Sequence, residues 1–162
     1  MPTLKQLWNK LCFILQIPFD TLAKRLFRDY FFKHYHVYGD PTRLKIASTA
    51  VVSNASFNLS SGTIFIEDYV FFGSNVSVIT GIHDIKKMGL ERQLAVPTSG
   101  RDITIKRGAW IASNVTILGP CTIGENAVVG ACCLIRHDVP ANTVCYAKDT
   151  IILKPLSLPH TN

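Results

Sequence analysis

The sequence predicts a parallel β-helix, a solenoid in which short strands stack coil upon coil. An aliphatic residue recurs at every sixth position, at Ile105, Ile111, Ile117, Ile123, Val129 and Ile135. Four positions after each comes a small residue or a valine, at Ala109, Val115, Cys121, Ala127, Cys133 and Val139. An α-helix repeats its apolar residues about every 3.6 positions and a half-buried strand every second position, so neither keeps this period. A short repeat sustained in this way is typical of a β-helix.

Stacking explains why the period is strict. One short strand and its turn cannot bury their own apolar side chain, so successive coils must cover one another. With three hexapeptides to a coil, residues 18 apart lie on each other. We therefore expect Ile105 on Ile123, Ile111 on Val129, and Ile117 on Ile135.

The first 40 residues have a different pattern and are predicted to form an N-terminal amphipathic helical segment. Helical spacing relates Leu4, Leu7, Trp8, Leu11, Cys12 and Leu15. Pro18 is expected to end this helix, and Asp20 to cap a second one. The chain from Tyr35 to Pro41 is expected to be a linker into the solenoid.

Positive charge is concentrated in this segment. The 162 residues carry a formal net charge of +6. Residues 1–39 supply +4 of it, from Lys5, Lys10, Lys24, Arg25, Arg28 and Lys33 against Asp20 and Asp29. The favoured interpretation is a cap on the open end of the solenoid. The alternative is peripheral contact of residues 1–38 with an anionic membrane, at the inner face of the cytoplasmic membrane. No nucleic-acid partner is expected, since no recognition motif accompanies the basic residues.

The predicted solenoid domain spans 41–154, with a loop insertion at 84–102 and a C-terminal tail at 155–162. The six-residue period begins at Ile46, stops after Ile82 and returns at Ile105. Catalytic and binding residues often lie on a polar loop that projects from a rigid scaffold, so the insertion is the expected place for the active site.

The five cysteines favour a reducing, cytoplasmic compartment. Their number is odd and none of them form a C-x-x-C pair, so neither a disulfide framework nor a zinc site is expected. No stretch approaches the roughly 20 apolar residues that span a bilayer.

Several segments together resemble the left-handed β-helix, hexapeptide-repeat acyltransferases that use acetyl-coenzyme A. They are 80–84 (Thr-Gly-Ile-His-Asp), 103–105, 108–112, 114–120, 129–131 and 138–142. Within that family the chain is most similar to the sugar and polysaccharide O-acetyltransferases, the maltose, galactoside and nodulation-factor type. The left-handedness comes from this resemblance alone.

The resemblance implies a homotrimer with active sites in the clefts between neighbouring chains. It also implies acetyl transfer from acetyl-coenzyme A to a hydroxyl or amino group of a sugar or nucleotide-sugar, in glycan or polysaccharide biosynthesis. His83 is then the general base, because a neutral imidazole is available at physiological pH. A backbone N–H at the Ala112–Ser113 turn is the candidate donor to the oxyanion.

The remaining site residues also follow from the resemblance. Trp110 corresponds to the tryptophan that walls the cleft, and Asp84 would contact the acceptor or orient His83. The expected coenzyme A contacts are Ala112, Ser113, Gly130, Ala131, Arg136, His137 and Lys148. The sequence departs from the family where Ala-Gly-x-Pro-Ala is common: residues 146–150 read Tyr-Ala-Lys-Asp-Thr and lack its glycine and proline.

Two other kinds of protein share parts of this pattern. A metal-dependent hydratase resembling the γ-type carbonic anhydrases needs three histidines at a subunit interface, whereas the solenoid offers His83 and His137. No metal is therefore expected. The other is a non-catalytic, membrane-associated scaffold that uses the basic helices. The acceptor, the choice between oxygen and nitrogen, and the acyl-chain length stay open.

Overall fold

Three parallel sheets form the faces of a prismatic solenoid in the computed structural model, which describes residues 4–148 except the side chains of Gln6, Ile17, Arg28, Asp29, Phe31 and Phe32. The last strand predicted at 151–153, the end of the domain at 154 and the tail at 155–162 lie outside the described residues.

The chain visits the faces in rotation. Face 1 holds β1 (His36–Tyr38), β3 (Ser56–Asn58), β6 (Ser77–Ile79), β9 (Thr116–Leu118) and β12 (Leu134–Ile135). Face 2 holds β2 (Leu44–Ile46), β4 (Ile64–Ile66), β7 (Ile103–Ile105) and β10 (Cys121–Ile123). Face 3 holds β5 (Phe71–Phe72), β8 (Trp110–Ile111), β11 (Val128–Val129) and β13 (Val144–Cys145).

The predicted stacking is confirmed. Ile123 pairs with Ile105, Val129 with Ile111, and Ile135 with Ile117, each 18 residues apart. All twelve residues of the six-residue pattern are exposed by 6% or less. The earlier coils are longer, since Ile46 pairs with Ile66 and Phe57 with Val78. The extra residues shift the six-residue period near residue 60.

The prediction of a linker from Tyr35 to Pro41 is wrong, because part of this segment is a strand. β1 pairs in parallel with β3, with Val37 opposite Phe57. A 3₁₀ turn at Pro41–Arg43, capped by the Asp40 side chain, then leads into β2. The solenoid therefore begins at His36 rather than at residue 41, and β1 covers the backbone edge of β3.

The N-terminal segment is one helix, not two. α1 runs from Leu4 to Lys33 with Pro18 inside it, so the expected end at Pro18 and cap at Asp20 are wrong. Proline removes a single N–H donor, and helix-forming residues on both sides continue the helix past it. The large apolar side chains described on α1 are exposed. Among residues 4–148 no helix combines the length and apolarity needed to cross a bilayer.

The insertion separates β6 from β7. It contains a short helix, α2 (Gly89–Leu94), and its side chains are mostly exposed. The insertion is therefore a polar loop between two strands whose inward side chains are buried in the solenoid.

Candidate active site

The insertion leaves the solenoid at the corner between face 1 and face 2, called here the His83 corner (residues 59–63, 80–102, 119–120 and 136–138). Thr80 is fully buried, and its hydroxyl donates to the carbonyl of Asn58 at 2.9 Å. Arg101 closes the base of the loop, since its Nε donates to the carbonyl of Thr80 at 2.8 Å. Arg43 donates to the carbonyl of Thr98 at 2.8 Å. The loop is thus fixed to the scaffold at both ends.

His83 lies three residues beyond this anchored base, and its side chain is exposed. Its Nδ1 atom lies 3.0 Å from the carbonyl oxygen of Arg92. A carbonyl oxygen only accepts, so this contact places the proton of the neutral imidazole on Nδ1 and leaves a lone pair on Nε2. The ring thus presents Nε2 as its accepting nitrogen.

The side chain of Arg92 shapes the loop around His83. Its Nε donates to the carbonyl of Lys87 at 2.5 Å, and its Nη2 to that of Ile85 at 3.3 Å. An ion pair between Lys87 and Glu91 at 2.8 Å braces the same turn. The sequence placed Arg92 in a polar loop without assigning it this role, and no motif marks it.

Among the bonds found in residues 4–148, Asp84 contacts the backbone of the loop rather than the His83 ring. Its carboxylate accepts from the backbone N–H of Lys86 at 3.0 Å, and its own N–H donates to the carbonyl of Ala95. The other role predicted for Asp84, contact with the acceptor, is not addressed by these bonds.

Trp110 stands on the outer side of face 3 and is 44% exposed. Its ring stacks on that of Phe71 in the preceding coil, with centroids 5.7 Å apart and planes 14° from parallel. Val51 and Val128 continue this outward column above and below the two rings. Face 3 thus presents an apolar, aromatic wall.

The corner between faces 3 and 1, called here the Ser113 corner (residues 52–55, 73–76, 112–115 and 130–133), is tightly packed. A Cβ atom at Gly73 would lie 2.5 Å from the Ser113 Oγ and 2.6 Å from its backbone nitrogen. The same hydroxyl accepts from the N–H of Ser74 at 3.1 Å. Only a residue without a side chain fits above Ser113.

An asparagine ladder supports this corner. Asn54 donates to the Oδ1 of Asn75 at 2.7 Å, and Asn75 donates in turn to that of Asn114 at 3.4 Å. Asn75 and Asn114 have φ angles of 59°, in the left-handed region that asparagine tolerates. The ladder was not predicted, although these asparagines recur at the same corner of successive coils.

Of the two backbone N–H groups at the Ala112–Ser113 turn, only that of Ser113 is available to donate to an oxyanion. The Ala112 N–H donates to the carbonyl of Val129 at 2.9 Å and is committed to the ladder between coils. For the Ser113 N–H, no acceptor is found among residues 4–148. The carbonyl of Ser113 accepts from Cys132 at 3.0 Å.

The predicted coenzyme A contacts are divided between two corners. Ala112, Ser113, Gly130 and Ala131 lie together at the Ser113 corner, and Lys148 is exposed just after β13. Arg136 and His137 are exposed at the His83 corner. Face 1 separates the two corners by roughly 10–20 Å, from three-residue strands and their turns at about 3.3 Å per residue. A single chain therefore does not bring His83 and Ser113 into one cleft.

All five cysteines are free in this structure. Cys121 and Cys133, two of the small residues of the six-residue pattern, fill inward positions of the core. Burial is the main cause that raises the pKa of the Cys121 thiol to about 11, with a contribution from nearby Asp138. Within residues 4–148 no group of three or more histidine, cysteine or acidic side chains is placed to hold a metal ion.

Comparison with known proteins supports the six-residue repeat. Residues 102–137 match the family described as bacterial transferase hexapeptide (six repeats). A galactoside O-acetyltransferase of Escherichia coli is 36% identical over 97 residues, which are 56% of this chain and 44% of that protein. One from Lactococcus lactis is 27% identical over 114 residues, 67% of this chain and 52% of that protein. The chain thus spans about half the length of these relatives.

A solved structure supports the fold. The CcmM N-terminal domain, solved in complex with CcmN, matches with a TM-score of 0.54 at 20% identity, covering 70% of this chain and 92% of that one. At this identity the likeness concerns architecture alone. Together with the matched repeat and the stacked three-face coils, it shows that the chain carries a hexapeptide repeat and folds as a left-handed parallel β-helix.

Proposed function

We propose that the protein is an acetyltransferase that moves the acetyl group of acetyl-coenzyme A to a hydroxyl or amino group of a sugar or nucleotide-sugar. The observation that carries the proposal is the bond between His83 Nδ1 and the Arg92 carbonyl, which leaves Nε2 as the accepting nitrogen. The similarity to galactoside O-acetyltransferases supports the acetyl donor and the sugar acceptor. A role in glycan or polysaccharide biosynthesis in the cytoplasm fits an enzyme of this class with five free thiols.

The chemistry assigned to His83 is general base catalysis followed by general acid catalysis. Nε2 takes the proton of the acceptor hydroxyl as its oxygen attacks the thioester carbonyl. The resulting tetrahedral oxyanion receives a hydrogen bond from the Ser113 N–H. Collapse breaks the carbon–sulfur bond, and the imidazolium returns the proton to the departing thiolate. The products are the acetylated acceptor and free coenzyme A.

The proposed enzyme works as a homotrimer. The two parts of its active site, the His83 corner and the Ser113 corner, lie apart on one chain and can meet only between neighbouring chains. Packing three copies side by side would set the His83 corner of one chain against the Trp110 wall and the Ser113 corner of the next. Trp110 would then flank the acceptor with Asp84, while the small residues at 112, 130 and 131 admit a pantetheine arm close to the backbone. Arg136, His137 and Lys148 are the proposed polar contacts of the coenzyme.

Replacement of His83 tests the proposal. We expect His83→Ala to lower thiol release from acetyl-coenzyme A by about 10²- to 10⁴-fold, measured over a panel of galactosides, maltose and nucleotide-sugars. His34→Ala is the matched control, since His34 is also exposed and its Nδ1 also lies 3.0 Å from a backbone carbonyl, that of Tyr30. Unchanged turnover in His83→Ala, or an equal loss in the control, would reject the assigned base.

A further inference from the structure

The feature that the proposed reaction does not use is an apolar stripe along α1. Its members follow one another at steps of three or four residues over the helix, so they lie on one side of it. They are Leu4, Trp8, Leu11, Leu15, Phe19, Leu22, Leu26 and Tyr30. Every one is between 49% and 88% exposed. At about 1.5 Å per residue the stripe is roughly 40 Å long.

A continuous exposed stripe of this size requires a partner. Scattered apolar side chains are normal on protein surfaces, whereas contiguous large patches mark interaction sites. Leu7 and Ile14 stand beside the stripe and are also exposed. In the part of the chain that the structure describes, the solenoid does not cover these side chains.

The charge of the helix indicates which partner. Residues 4–33 contain six lysines and arginines and two aspartates, a net charge of +4. Copies of α1 packed along the stripe would bring like charges together, with two acidic residues per helix to compensate. An anionic surface instead attracts each of these basic residues.

The aromatic content points in the same direction. Trp8, Phe19 and Tyr30 belong to the stripe, and aromatic rings of this kind are favoured at the boundary between headgroups and acyl chains. Lysine and arginine side chains are long enough to lay their methylene groups on the apolar surface and keep their charge at the headgroups. We propose that α1 is a docking surface for an anionic lipid bilayer, lying in the interface with its apolar stripe in the membrane.

Binding of the full chain to vesicles tests this directly. We expect co-sedimentation with vesicles containing about 30% phosphatidylglycerol at an affinity about tenfold or more above that for pure phosphatidylcholine. Raising the salt from about 0.05 to 0.5 M should weaken binding, because it screens the basic residues. Failure to bind the anionic vesicles at low salt would overturn the proposal.

Matched variants identify the stripe as the contact. Leu11→Glu and Leu15→Glu place a carboxylate in the stripe and should reduce vesicle binding about tenfold or more, since a charge must then leave water. Asn9→Glu and Gln16→Glu make the same change of charge at neighbouring positions, about a quarter of a turn round the helix from the centre of the stripe, and should reduce binding less. Equal losses in both pairs would show attraction by charge alone and contradict a buried stripe.

The competing occupant, a second copy of the chain, gives a different result. If copies cover the stripe, Leu11→Glu lowers the oligomeric mass measured by light scattering, whereas a membrane-docking stripe leaves that mass unchanged. Turnover of a soluble sugar acceptor should also be unaffected by Leu11→Glu. Loss of vesicle binding with full turnover therefore separates this proposal from the assignment of His83.

Discussion

The carbonyl oxygen of Arg92 lies 3.0 Å from Nδ1 of His83, across nine residues of the insertion. A single loop thus holds the imidazole in one tautomer without a carboxylate partner. The carbonyl is held in turn because the guanidinium of the same arginine donates to the carbonyls of Ile85 and Lys87. The accepting nitrogen and the loop that orients it depend on one side chain.

Arg92→Met is expected to lower kcat by about 10- to 100-fold with little change in the KM for acetyl-coenzyme A. The substitution removes the guanidinium donors but keeps the backbone carbonyl, so the carbonyl loses its fixed position and His83 its orientation. Steady-state kinetics of Arg92→Met should show the fall in kcat without the change in KM. Arg92→Lys should recover part of kcat, because the lysine ammonium restores a hydrogen-bond donor.

Arg107→Met is the control for removal of an exposed arginine. The Arg107 guanidinium lies 4.9 Å from the centre of the Tyr69 ring, at the corner between faces 2 and 3 and away from His83. We expect wild-type kinetics from it. A rate loss in Arg92→Met matched by a comparable fall in folded protein would mean that the arginine only stabilises the loop.

How far the sequence predicts this protein depends on the range of the interactions. The pairing of Ile117 with Ile135 follows from the six-residue period, since stacking repeats one contact in every coil. The position of His83 at the start of an interruption is equally visible. The bonds of Arg43, Arg92 and Arg101 to backbone carbonyls at the base of the insertion and within it are not, because they join residues with no periodic relation.

Local sequence rules fail where longer-range contacts decide the structure. Pro18 predicts the end of a helix that in fact continues to Lys33, and residues 35–41 resemble a linker although His36–Tyr38 pairs with β3. A three-residue strand at the end of a solenoid has no repeat of its own to mark it. Its pairing is decided by the edge of the neighbouring coil, which single-sequence patterns do not show.

Trp110→Ala is expected to raise the KM for the sugar acceptor by about tenfold, because one aromatic contact with the acceptor is lost. The KM for acetyl-coenzyme A should change less. The ring is exposed and stacked on Phe71, so its removal shortens the wall of face 3 without opening the core. Phe65→Ala is the matched control, because Phe65 is a similarly exposed aromatic residue on face 2. Equal acceptor KM values in the two variants would remove Trp110 from the acceptor site.

The last prediction concerns the core that positions all of these side chains. Ile117 is fully buried between Val78 and Ile135 of adjacent coils, directly after the Ser113 corner. Ile117→Ala should lower the free energy of unfolding by about 2–5 kcal/mol, because neighbouring coils cannot close the cavity without breaking their own pairing. Thr116→Ala, on the outward side of the same strand, should cost less than about 1 kcal/mol. Denaturant unfolding of the two variants measures the difference. Similar midpoints would contradict a close-packed stack, and with it the rigid spacing between the His83 corner and the Ser113 corner on which the proposed trimeric site depends.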